Sequence, residues 1–186
     1  MAMALAFVFA ASPARAQATP APSDREAQRT DIYKQAVDLA NAGHWEEAEG
    51  KLQEVLAIRA SPKARFTLGQ AQEHVGQLAE AYDSYQQAMN EAQLTGQAEV
   101  TRVAGPALQA LESRVPVLRL VVSGTSASGA SATIDDRPAL LDRSVRVDPG
   151  AHRVSVSAPG ARTATNSVTL AEGQHLDSHN DRDVAS

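Results

Sequence analysis

Two stretches of the chain repeat each other: AVDLANAGHWEEAEGKLQEV at residues 36–55 and GQAQEHVGQLAEAYDSYQQA at residues 69–88. Laid over each other at an offset of 33 residues, they match at four positions with clear packing roles. Glycine permits the tight turn between two antiparallel helices, alanine lets helices approach closely, and larger side chains fill the remaining space. The sequence therefore predicts two consecutive helical hairpins. The matched pairs are Gly43 with Gly76, Ala48 with Ala81, Leu52 with Tyr85, and Val55 with Ala88.

The helical pattern extends on both sides of the repeat. Apolar residues recur at three- and four-residue spacing from residue 24 onwards, which is typical of amphipathic helices. Ser61-Pro62 marks the start of the third helix, with serine as N-cap and proline in the first turn. Residues 97–114 are expected to form a capping helix that Gly105-Pro106 kinks or splits. The prediction is a helical module over residues 24–114.

The repeat resembles the tetratricopeptide repeat over about residues 29–95. The second unit carries that family's pattern in Leu68-Gly69, Gly76, Ala81, Tyr85 and Ala88. The first unit is looser, with Ala36, Leu52 and Val55 at the corresponding places.

The resemblance implies a concave groove that holds a peptide and is lined by the first helix of each repeat. Carried over by repeat position, the lining residues are Tyr33, Lys34, Val37, Asn41, Lys63, Phe66, Gln70 and His74. The Lys/Asn set that clamps a carboxylate in some family members is incomplete here, and the charge of the ligand stays open. Phe66 and Val37 are equally consistent with packing between helices.

The hydrophobic period changes after Val115-Pro116. Short β-branched or alternating segments separated by Gly/Pro turns predict a small β-sandwich over residues 115–173. The predicted strands cover residues 117–122, 132–134, 145–147, 152–158 and 163–170.

The turns of this half resemble those of the PEGA domain, a β-sandwich family. Asp148-Pro149-Gly150-Ala151 stands where that family has its name-giving turn, although the glutamate is absent. Ala158-Pro159-Gly160 resembles its second turn. Residues 174–186 are polar, and we expect them to form a frayed tail that leaves the sandwich without an edge strand.

The N-terminal segment is typical of an export signal. An apolar run ends at Ser12-Pro13, and Ala14-Arg15-Ala16 fits the A-x-A site of signal peptidase, which predicts cleavage after Ala16 and a periplasmic or secreted protein. No Lys or Arg precedes the run, which leaves open a start upstream of Met1. Residues 17–23 then form an Ala/Pro linker.

The composition of the chain excludes several classes of function. The formal charge of −5 argues against broad nucleic-acid binding, and the lack of cysteine excludes disulfides and thiol chemistry. No nucleophile elbow or phosphate-binding loop occurs. His175 and His179 on a polar tail are weak metal ligands, so no metal, cofactor or catalytic residue is expected.

These observations predict an α+β chain of two modules, helical tetratricopeptide-like hairpins followed by a PEGA-like sandwich. The expected function is a non-enzymatic adaptor of the bacterial envelope that binds a protein or peptide partner and has no membrane-spanning segment. The alternative is a module that binds cell wall or carbohydrate through the β-half. Sugars usually stack on exposed aromatic rings, and residues 115–186 contain no Phe, Tyr or Trp, which counts against it.

Overall fold

The computed structural model describes residues 22–122, 129–160 and 162–180. The expected signal peptide at 1–16, the first part of the linker at 17–23 and residues 181–186 of the expected tail lie outside the described residues. The described chain begins with five helices, which are α1 (Pro22–Asn41), α2 (Trp45–Ile58), α3 (Pro62–His74), α4 (Leu78–Thr95) and α5 (Ala98–Glu112).

Helices α1 to α4 form two hairpins whose turns have the same geometry. Gly43 and Gly76 adopt φ values of +83° and +84°, a left-handed conformation that favours glycine. The other six residues of the matched pairs are all buried. The sequence repeat is thus a structural repeat, because each matched position has the same conformation or the same burial in both hairpins.

Helix α5 packs against α4 and runs without interruption through Gly105-Pro106. The expectation that this pair splits the helix is therefore wrong. Proline removes one backbone donor, yet Ala104 on one side and Leu111 on the other are buried and anchor both parts of the helix in the core.

The described residues that follow α5 form seven strands in two sheets. One sheet has the order β4-β1-β7, and the other has the order β3-β2-β5-β6. All neighbouring strands are antiparallel except β1 and β7, which are parallel. The strands are β1 (Val117–Val122), β2 (Ser131–Ile134), β3 (Arg137–Ala139), β4 (Ser144–Arg146), β5 (Gly150–Ser157), β6 (Ala164–Leu170) and β7 (His175–Asn180).

The two sheets face each other across one apolar core, as the alternating sequence predicts. Leu118 and Leu120 contribute from the first sheet, and Ile134, Val154 and Val156 contribute from the second. The chain is thus a two-module α+β protein with a helical half and a β-half.

Strand β7 corrects the expectation that residues 174–186 form a tail. His175–Asn180 pair with β1 along its whole length, from Val117 opposite His175 to Val122 opposite Asn180. Leu176 packs against the core, while Asp177 and His179 are exposed. A strand with one face towards solvent needs few apolar residues, because the backbone supplies the pairing.

Among the described residues, no helix has the length and apolar character that crossing a lipid bilayer requires.

Candidate functional site

The eight residues expected to line a groove lie on α1 and α3, the first helix of each hairpin. We call them the α1–α3 surface. Lys63, Phe66, Gln70 and His74 follow one another at three- and four-residue spacing, which places them along one side of α3. The structure places them in several different environments.

The first environment joins α1 to α3 near the start of α3. The Tyr33 hydroxyl lies 3.2 Å from Thr67 Oγ1, and the Lys63 ammonium lies 5.6 Å from the centre of the Tyr33 ring. Both lysines of the surface, Lys34 and Lys63, are exposed, and neither forms an ion pair with a described carboxylate. The two ammonium groups are thus available to an anionic ligand.

The second environment is an open cavity of about 350 Å³ near the end of α3. Gln70 and His74 line it together with Glu73, Tyr85 and Arg114. The Tyr85 hydroxyl donates to Glu73 Oε2 at 2.9 Å. Burial and the adjacent Glu73 carboxylate raise the pKa of Tyr85 far above its usual value, so the phenol stays a donor.

His74 also forms the outer layer of a ring stack. Its imidazole lies parallel to the Trp45 indole, with the ring centroids 3.8 Å apart. Residue Trp45 packs against the core of the first hairpin, so this stack connects the exposed His74 ring to the buried interior.

The remaining surface residues divide between core and solvent. Phe66 packs against the core of the second hairpin, with its ring 5.3 Å from that of Tyr85, which supports the packing interpretation. Val37 is half-buried, and Asn41 is exposed. Asn41 remains accessible to a ligand, whereas Phe66 is engaged within the molecule.

A second cluster, made mostly of polar and charged residues, lies where the two modules meet. The sequence alone did not predict it. We call it the junction, and it comprises Ala79, Glu80 and Tyr82 of α4, Arg137 of β3, Arg146 of β4, and Asp135, Asp148 and His152 of the β-half. Asp148 Oδ1 accepts a hydrogen bond from the Ala79 amide at 2.9 Å. Gln77, the N-cap residue of α4, makes no side-chain capping bond, so a residue of the β-half caps this helix.

His152 holds the Asp148 turn in place from the other side. Its Nε2 lies 2.7 Å from the Asp148 carbonyl oxygen, and its Nδ1 lies 2.6 Å from Asp135 Oδ2. Both partners are acceptors, so both ring nitrogens must carry hydrogen and the ring fits the site as a cation. Burial alone would lower the pKa of His152, but the bonds to Asp135 and Asp148 outweigh it and raise the pKa above its usual value.

The pKa values of Asp148 and Asp135, the two aspartates of the junction, are shifted in opposite directions. Burial raises the pKa of Asp148, and the nearby Glu80 charge raises it further against the effect of the Ala79 amide. Burial also acts to raise the pKa of Asp135, but the bonds from His152 and the Arg153 amide outweigh it and leave that pKa below its usual value. The two acidic groups are therefore held by different partners.

Two arginines complete the contact between the modules. The Arg146 guanidinium lies 3.8 Å from the centre of the Tyr82 ring, and Arg137 lies 3.2 Å from Glu80 Oε1. Residues of the junction and neighbouring apolar residues of both modules line an open cleft of about 380 Å³. Its lining joins groups of both charges, which is typical of a structural contact between domains.

Arg114 ties the cavity of the α1–α3 surface to the β-half. Its guanidinium bonds both Glu73 of α3 and Glu172, the latter at 3.0 Å. The Gly173 amide donates to the Arg114 carbonyl at 2.6 Å. A Cβ on Gly173 would lie 2.6 Å from the Ser113 carbonyl oxygen, so the close approach of the two modules requires glycine there.

The sequence held one signal for the junction. His152 has the same parity along β5 as the buried Val154 and Val156, so the alternation places a histidine on the inner face. A buried polar side chain needs partners. Asp148 gave no such signal, because an Asp-Pro-Gly segment is explained fully by a turn.

The C-terminal histidines considered as metal ligands lie on the exposed side of β7. Asp177 between them bonds Arg119, at 2.9 Å. The part of the chain that the structure describes contains no group of three or more His, Asp or Glu side chains placed to hold a metal ion.

Comparison with known proteins adds no assignment. No protein-family model matches the chain, and no curated protein sequence matches it.

Proposed function

We propose that this chain is a non-enzymatic adaptor that binds an extended acidic segment of a partner protein through the α1–α3 surface. In this proposal the helical hairpins are tetratricopeptide-like, the sandwich is PEGA-like, and the protein acts in the bacterial envelope after export.

The observation that carries the proposal is that Lys34 and Lys63 have exposed ammonium groups without a carboxylate partner among the described residues. In a chain of net charge −5, both lysines are exposed and without a described carboxylate partner. Most other basic side chains of the helical half, such as Arg29, Arg65 and Arg114, are engaged in ion pairs. Unpaired cations of this kind favour a ligand that brings carboxylates.

The cavity near the end of α3 supports the same ligand class. Gln70 offers an amide and His74 a ring nitrogen, and both groups are exposed. These groups bind backbone carbonyls and carboxylates equally well, so an extended chain along α3 would contact Lys63 first and His74 last. The helical spacing of the row gives a peptide contacts over several residues.

The experiment that tests the proposal is binding of a set of extended peptides of negative, neutral and positive charge. We expect the acidic peptides to bind, and the double variant Lys34→Glu/Lys63→Glu to lose at least about tenfold in affinity, since two charge-assisted contacts are removed. Lys51→Glu is the matched control, because Lys51 lies on α2 and pairs with Glu54 within its own helix.

Two results would overturn the proposal. One is a preference for neutral or basic peptides over acidic ones. The other is an equal affinity of the double variant and the Lys51→Glu control for the acidic peptides, which would place the binding surface elsewhere.

A further inference from the structure

The four edge strands of the β-half differ in how they are protected. Exposed edges invite pairing with another strand, and proteins block them with short length, proline or charge. Strand β3 has three residues including Pro138, and β4 has three residues. Strand β7 carries His175, Asp177 and His179 on its exposed side.

Strand β6 has none of these protections. It is seven residues long, Ala164-Thr165-Asn166-Ser167-Val168-Thr169-Leu170, with no charged residue and no proline. Among the described strands it pairs only with β5, so no described strand bonds the backbone amides and carbonyls of its other edge. Four of its side chains, those of Thr165, Asn166, Ser167 and Thr169, are exposed.

We propose that the free edge of β6 pairs antiparallel with β6 of a second copy of this chain, centred on Ser167. The pairing joins the two four-stranded sheets into one continuous sheet across a two-fold axis.

The sequence around Ser167 complements itself under this operation. In an antiparallel pair centred on one residue, positions at equal distance on its two sides lie opposite each other. Thr165 then lies opposite Thr169 on the outer face, a favourable cross-strand pair. Ala164 lies opposite Leu170 on the inner face.

The charges that flank the strand complement each other as well. Arg162 and Glu172 are both five residues from Ser167 and lie just beyond the two ends of β6, so each Arg162 comes near the second copy's Glu172. Both residues are exposed, and Arg162 forms no ion pair with a described carboxylate. Glu172 keeps its bond to Arg114, and in the dimer its carboxylate accepts from Arg162 of the second copy as well. Opposite charges near both ends of the strand favour this register. They also favour pairing with a second copy over pairing with an unrelated strand.

The size of the contact sets its strength. A single pair of strands buries less surface than the roughly 1,200 Å² that stable complexes need. The net charge of −5 also makes two copies repel each other at long range. We therefore expect a weak, reversible dimer whose population rises with protein concentration and with moderate salt.

Sedimentation equilibrium of Ser167→Lys and Ser167→Glu tests the proposal, because Ser167 lies opposite itself in the dimer. Each variant alone places like charges across the axis, and we expect its dimerisation to weaken at least about tenfold. An equimolar mixture of the two variants pairs lysine with glutamate, so we expect dimers to return. Ser144→Lys, an exposed residue on edge strand β4 of the other sheet, is the matched control and leaves dimerisation unchanged.

Amide hydrogen exchange supplies the second measurement. The outward-facing amides of β6 should become protected as the concentration of the wild-type protein rises. Several results would overturn the proposal. They are a monomer at all concentrations up to about 1 mM, dimerisation that neither Ser167 variant weakens, or an equimolar mixture of the two variants that stays monomeric. Protection of the outward-facing amides of β6 in the monomer would likewise overturn it, since another segment of the same chain would then bond this edge.

Discussion

At the scale of single residues, Gly69 decides how closely α3 and α4 approach each other. A Cβ on Gly69 would lie 2.7 Å from both Cδ1 and Cε1 of Tyr85. The Tyr85 ring is buried and its hydroxyl is bonded to Glu73, and both contacts hold the ring in its position beside Gly69. The spacing between α3 and α4 within the second hairpin therefore depends on a missing side chain.

Gly69→Ala should destabilise the fold. Overpacking of a filled core costs about 1–3 kcal/mol, which exceeds the gain of up to about 1 kcal/mol from removing a helical glycine. Gly50→Ala is the control, because nothing lies within 4 Å of a Cβ there. Urea unfolding should show a lower midpoint for Gly69→Ala and an equal or higher one for Gly50→Ala. Equal midpoints for the two variants would contradict the contact with Tyr85.

His152 makes the stability of the protein depend on pH. The pKa of His152 is raised in the folded state, so its contribution is fully present below the unfolded pKa of about 6.5. The contribution is lost as pH rises through the folded pKa. Asp135 acts in the opposite sense, since its lowered pKa gives a contribution that is present above its unfolded pKa of about 3.9 and lost in acid.

His152→Gln should remove the alkaline part of this dependence. We expect the free energy of unfolding of the wild type to fall between about pH 6 and pH 9 by more than that of the variant. At pH 6 the variant should be less stable by about 1–3 kcal/mol, the usual contribution of hydrogen bonds to a charged group. His179→Gln, on the exposed face of β7, is the control. Parallel pH profiles for wild type and His152→Gln would refute the cationic site.

At the scale of elements, α4 depends on a residue from another part of the chain. Its amide at Ala79 is capped by Asp148, which lies 69 residues further along the chain. In the first hairpin the N-cap residue of α2, His44, also makes no side-chain capping bond. The second hairpin is thereby fixed to the sandwich as well as to its neighbour.

Asp148→Ala should cost about 0.5–2 kcal/mol, the usual effect of losing a helix cap. Asp148→Asn keeps an oxygen that accepts from the Ala79 amide, so it should retain most of the stability. Hydrogen exchange of that amide is the direct measurement, with faster exchange expected in the alanine variant than in the asparagine variant. Identical exchange in both variants would mean that the cap contributes nothing.

The elements differ in how well the sequence alone predicts them. Gly43, Gly76 and the buried alanines were predictable, because their roles depend on local helix geometry and recur at a fixed offset. Strand β7 was missed because Leu176 is its only large apolar residue, and its pairing comes from the backbone. The Asp148 cap was missed because it exists only once the modules meet.

At the scale of the whole molecule, the two modules are joined by more than the connection at Val115-Pro116. Both residues of this connection are buried, and Val115 belongs to the core of the second hairpin. Arg114 links Glu73 of α3 to Glu172 of the sandwich. A partner bound on α3 is therefore held in a defined position relative to the β-half.

Amide chemical-shift mapping with an acidic extended peptide tests the proposed binding of a partner along α1 and α3. We expect the largest shift changes at Lys34, Lys63, Gln70 and His74, with little change across β2, β5 and β6. Changes centred on the β-half, or none at the helical residues, would contradict it.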